Sequence, residues 1–186
     1  MMKKVGRFLL ALVLASAVPT VLAAQSVWVG GGGSVPLGDY GDYANTGFLA
    51  VAGVAIPVGD GGLDVFGEGF FGQNSHSDVD GDKTNPYGFM GGAQFTFGEA
   101  DATQGLYVFG EVGILFHKYG SDDFEGSTDS GLGYGAGAGY FFPLGGLNGW
   151  IEARAMSAST GDGDSSGKTS FLGLLAGVNF PLGGGN

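Results

Sequence analysis

The sequence predicts an all-β chain, with eight strands running up and down as an antiparallel barrel. Three observations carry that expectation. The stretch GLGYGAGAGYFF, residues 131 to 142, places glycine at 131, 133, 135, 137 and 139, and a spacing of two belongs to a strand. Beyond the N-terminal segment no helical period appears, and strand-length segments recur at nearly constant spacing. The connections between them alternate between short and long.

Taken in order, the chain opens with Lys3, Lys4 and Arg7 ahead of an apolar run from Phe8 to Val18. Pro19, Thr20 and the small residues Ala23 and Ala24 follow. This is a signal-peptide layout, since the run is shorter than the ~20 residues a spanning helix needs. Residues 1–24 are therefore expected to be a signal peptide and 25–186 the barrel domain. Cleavage after Ala23 or Ala24 leaves Lys83, Lys118, Arg154 and Lys168 against 18 acidic residues, a net charge of −14 that excludes nucleic acid as a partner. The chain has no cysteine, so no disulfide staples an exported fold.

The strands are expected at about Ser26 to Ser34, Thr46 to Ile56, Leu63 to Gln73, Tyr87 to Phe97, Gly105 to Lys118, Gly131 to Phe142, Trp150 to Ser159 and Thr169 to Phe180. Each matches the 9 to 11 residues of a tilted membrane-crossing strand. Short connections follow the second, fourth and sixth strands: PVGDGG, GEADATQ and PLGGLNG. The others are longer and acidic, as in NSHSDVDGDKTNP and YGSDDFEGSTDS. Pro57, Pro143 and Pro181 close even strands, where a residue without an N–H stops the ladder. One end of the barrel thus carries tight turns and the other a crown of acid.

Alternation sorts the side chains. One parity is apolar strand after strand: Tyr87, Phe89, Ala93, Phe95 and Phe97; Leu106, Val108, Val112, Ile114 and Phe116; Leu172, Leu174, Ala176, Val178 and Phe180. The opposite parity holds Asp64, Glu68, Gln94, Thr96, Glu111, Glu152, Arg154 and Asn179. An apolar exterior around a polar interior fits a barrel in lipid, whereas a soluble barrel would leave those faces uncovered. The glycine row then has a reason: an eight-stranded lumen is filled by side chains, so one bare wall makes room for bulk from its neighbours.

On these residues, from GGGGSVPLGDYGDY at 30 to 43 through VAGVAIPVG at 51 to 59 to FLGLLAGVNF at 171 to 180, the chain resembles the Gram-negative outer-membrane β-barrel family. It is similar in plan to the small eight-stranded barrels of OmpA and OmpX. The resemblance implies a place in the outer membrane, contact with its lipid and recognition by the barrel-assembly machinery. In that family the last strand alternates apolar residues up to a final aromatic, and Leu172, Leu174, Ala176, Val178 and Phe180 fit that assembly signal. This chain departs from it by continuing to Asn186.

Other motifs carry less. The match of Gly131, Gly133 and Ala136 to a dinucleotide fingerprint lies inside a strand, without the helix it needs. DGDSSGKT, 162 to 169, has Asp162 where a phosphate loop has its first glycine. Asp78, Asp80 and Asp82 take positions 1, 3 and 5 of a calcium loop, but Lys83 replaces the glycine at 6 and no glutamate stands at 12. A solvated acidic loop is the reading, with calcium as the alternative. His76 has Ser75 and Ser77 beside it, but neighbours on an extended chain point apart, and His117 sits near a strand end with Ser121 and Asp122 beyond. Both histidines read as rim or loop residues.

The expectation is a structural or adhesive barrel that presents acidic loops to surface ligands, with no cofactor or metal and no enzymatic activity. The alternatives are a narrow channel or small-ligand binder and, last, a lipid-modifying enzyme. Inside the barrel, Glu68, Glu111 and Arg154 fall at similar depth if the strands start level, Glu152 lies two residues from Arg154 on the same face, and Arg154 is expected to join the carboxylates in an ion network. On the outer face, Ala136→Arg is expected to be harsher than Gly135→Ser on the inner one.

Overall fold

A computed structural model describes residues 26–77, 81–98, 104–120, 128–160 and 167–182, so the signal-peptide reading lies outside the described residues. The strands are β1 (Ser26–Leu37), β2 (Gly47–Pro57), β3 (Leu63–Ser75), β4 (Lys83–Thr96), β5 (Gly105–Gly120), β6 (Thr128–Leu144), β7 (Leu147–Thr160) and β8 (Gly167–Pro181). They close into one antiparallel barrel in sequence order, with β8 pairing to β1. Closure leaves no unpaired edge, the condition for strands to cross a membrane. No described helix is long and apolar enough to cross one.

Partner residues traced once around the barrel give the path Ser26, Ala55, Phe66, Gly92, Glu111, Gly135, Met156, Phe171 and back to β1 at Pro36, ten residues past the start. A stagger of that kind tilts strands by roughly 35–45° in a barrel of this size. The third short connection is tighter than the sequence suggested: β6 runs through Pro143 to Leu144, and only Gly145 and Gly146 separate it from β7. Gly145, at φ 64°, takes the left-handed geometry such a turn requires. At the loop end, several strands extend beyond the expected bounds, since tertiary pairing continues where the apolar alternation has stopped. There β1 leads into a short 3-10 turn, Gly38–Asp42.

The two parities separate as the alternation requires. Phe89, Val112, Ile114, Leu132, Ile151 and Leu174 stand exposed on the outer face, while Glu68, Glu111 and Arg154 are buried within. Outward aromatics gather in two zones, Phe95, Phe97, Tyr140 and Phe180 toward the short turns and Phe48, Phe71, Tyr87 and Phe116 toward the loops. The glycine row of β6 faces β5 residue for residue: Glu111 lies opposite Gly135, Phe109 opposite Gly137 and Tyr107 opposite Gly139. A β-carbon at Gly137 would lie 2.6 Å from the Phe109 ring and as close to the Ala153 carbonyl, so the ring occupies the space the missing side chain leaves.

Candidate functional site

The lumen divides into four levels, set mainly by inward positions of the same strands. At mid-height, β7 supplies Arg154, β3 Glu68, β5 Glu111 and β7 again Glu152. Arg154 donates from Nη1 and Nη2 to the two carboxylate oxygens of Glu68, a bidentate fork whose Nη2 arm measures 3.2 Å. Its Nε donates to Glu152 Oε1 at 2.5 Å, and the second Glu152 oxygen accepts from the Tyr107 hydroxyl at 2.9 Å. The guanidinium also lies over the Phe109 ring, 5.1 Å from its centroid. Glu111 Oε1 is 3.6 Å from Arg154 Nη1 and makes no hydrogen bond. Arg154 is 2% exposed, so its charge depends on these partners rather than on water.

Toward the loops the lumen turns apolar. Leu49, Phe70, Met90, Leu115, Met156 and Phe171 pack into one buried cluster, with Leu115 and Phe171 fully shielded. Above it sits a polar cap. Tyr40, carried in by the 3-10 turn, donates to Asn74 Oδ1 at 3.3 Å and stacks on His117. The Asn74 amide donates to the Asn45 carbonyl at 2.8 Å. His117 Nδ1 lies 2.8 Å from Thr169 Oγ1, and His76 Nε2 lies 2.7 Å from Thr84 Oγ1. The first and second loops are knitted by a bridge between Ala44 and His76 and by the Ser77 amide donating to the Tyr43 carbonyl. Tyr43 packs edge-on against both Tyr40 and His76, and burial pushes its hydroxyl up to about 12.

His117 is therefore not a rim residue: it is completely buried beneath Tyr40, because β5 carries it inward one turn of the pleat below the loop. Among the described residues neither histidine meets a serine and a carboxylate in a relay; Ser77 donates to the Tyr43 carbonyl. Ser121, Asp122 and three of the five residues from Asp78 to Asp82 lie outside the described residues. Among the described residues no group of three potential ligands gathers around a metal position. The cap was missed in the sequence because Tyr40, Asn74 and Thr84 come from three segments with no common motif. The only sign was an aromatic pair, Tyr40 and Tyr43, in a segment otherwise read as a polar loop.

Toward the short turns the lumen opens into a cavity of about 100 Å³, floored by Arg154, Glu68 and Glu152 and walled by Trp28, Phe66 and Trp150. A closed eight-stranded barrel with an apolar girdled exterior, an ionic mid-layer and long loops at one end has the fold of the small outer-membrane barrels. Neisserial surface protein A (NspA) superposes with a TM-score of 0.67 at 12% identity, over 84% of this chain and 96% of that one. Ail, the attachment invasion locus protein of Yersinia pestis, superposes at 0.53 with 16% identity, over 84% and 99%. The structure of Ail in complex with the heparin analogue sucrose octasulfate gives 0.50 with 18% identity, over 83% and 97%. No family model matches the chain, and no curated protein sequence does.

Proposed function

We propose that this protein is a surface anchor of the outer membrane: a barrel held in lipid that presents acidic loops to partners outside the cell, and not an enzyme. The observation that carries this reading is the division of labour along the barrel axis. Between the turn-end cavity and the loops the lumen is filled by the ion layer and the apolar cluster above it, and the loop end is capped by the tied first and second loops, so the chemistry open to the outside lies in the loops. Export by the N-terminal segment and insertion through the final strand, Leu172 to Phe180, belong to the same proposal.

Ail, one of the structural neighbours, is described with a heparin analogue bound. Here the loops carry Asp39, Asp42, Asp78, Asp80, Asp82, Asp122, Asp123, Glu125, Asp162 and Asp164, which repel a polyanion. A basic protein surface suits them instead. Displaying the full chain on a non-adherent host and measuring capture on basic and on heparin-coated surfaces tests this; preference for heparin, or no loop-dependent capture at all, would refute it. The narrow-channel alternative is opposed by the packed lumen, and planar-bilayer recordings showing steady open conductance would restore it.

A further inference from the structure

The cavity at the turn end is chemically specific in a way the surface-anchor role does not use. Its floor is satisfied: Glu68 and Glu152 are both engaged by Arg154, and Glu152 also by Tyr107. What remains is an excess of negative charge and two polar atoms without protein partners. Asp64, half buried on β3, lines the cavity and forms no ion pair among the described residues. Trp150 of β7 is 3% exposed, yet among the described residues its indole Nε1 finds no acceptor. Asn179 Oδ1 of β8 is buried and likewise has no donor among them. All three residues line the same space.

The needs of these groups are complementary. Asp64 calls for a cation, and rings from Trp28, Phe66 and Trp150 around it favour an organic ammonium over a hydrated metal ion. Trp150 and Asn179 stand on adjacent strands, one offering an N–H and the other an unfilled carbonyl. A hydroxyl is a single group that accepts from the first and donates to the second. In a barrel ordered β1 to β8, β3 lies across the lumen from β7 and β8. The ligand must therefore bear its ammonium and its hydroxyl at opposite ends of a short chain.

We infer that the turn-end cavity is a binding site for a small amino alcohol, with the ammonium at Asp64 and the hydroxyl between Trp150 and Asn179. The site faces the periplasm in the orientation the loops define, away from any surface partner. Its occupancy is readable directly, because Trp28 and Trp150 both line it and are the only two tryptophans of the chain.

The test is a titration of intrinsic fluorescence of the full barrel in detergent micelles with propanolamine, propylamine and propanol. A saturable change is expected for propanolamine, a weaker one for propylamine and none for propanol. Asp64→Asn should weaken propanolamine binding roughly tenfold or more, as loss of a charged hydrogen-bond partner implies. Trp150→Phe, with Trp28 as reporter, should erase the preference for propanolamine over propylamine. Heat-modifiable gel migration establishes that each variant is folded. A wild-type barrel with no saturable response, equal responses to propanol and propanolamine, or unchanged binding in folded Asp64→Asn would each overturn the site and leave a cavity filled by water.

Discussion

The two halves of this lumen solve one packing problem by opposite means. Toward the loops, Leu115, Phe171 and their neighbours fill the barrel with hydrocarbon beneath the hydrogen-bonded cap of Tyr40, Asn74 and His117. Toward the turns, bulk comes from aromatic rings laid over glycines, and the remaining space is polar and bordered by charge. The ionic layer lies between them. The difference shows that a barrel interior is not uniformly a channel or uniformly a core: its stability is local, hydrophobic above and electrostatic below.

Removing the guanidinium is the most direct way to break that contrast. Arg154→Met leaves Glu68, Glu111 and Glu152 without a countercharge in a layer shielded from water and should lower stability on the order of 3 to 5 kcal/mol. Adding Glu111→Gln, which withdraws the carboxylate that has no hydrogen bond, should recover part of the loss. The urea midpoint in micelles measures both, and an unchanged midpoint for Arg154→Met would mean that the four residues do not act together. In the upper half, Leu115→Ala should cost about 2 to 5 kcal/mol through the cavity it leaves. Its cost should be the same at low and high salt, and a salt-dependent loss would contradict an apolar layer.

The two faces of β6 give a smaller effect. Ala136→Arg places a charge on the outward apolar face near mid-height and, in the membrane setting proposed above, should cost about 2 to 4 kcal/mol or block assembly. Gly137→Ser should cost about 1 to 3 kcal/mol, because its β-carbon meets a backbone carbonyl and a packed ring. Gly135→Ser should be milder than either, since the atom it meets at 2.6 Å is Glu111 Oε1, the movable end of a side chain. If folded yields in micelles rank otherwise, the assigned faces are wrong.

The smallest effect belongs to the cap. Tyr43, with its hydroxyl raised to about 12 against an ordinary 10, keeps its proton in the folded state when an unfolded tyrosine has lost it. The cap should therefore be unaffected below pH 10 and lose stability as pH rises from 10 to about 12. Tyr43→Phe should flatten that slope in a tyrosinate-corrected unfolding series.

Much of this molecule was legible from residue order alone. Strand number, the alternation of turns and loops and the identity of the outward apolar face follow from a period of two combined with where proline and glycine fall. Glu68, Glu111, Glu152 and Arg154 could be named in advance because a charge on the inward parity has few places to go. Tertiary structure decided which carboxylate Arg154 grips with two hydrogen bonds and which it leaves unbonded, since that depends on the stagger carried around eight strands. It also decided that His117 and Tyr40 stack beneath the loops, and that Asp64, Trp150 and Asn179 share one cavity. These residues lie far apart in the chain. Only barrel closure, which turns a linear register into a ring, brings their side chains to a common height.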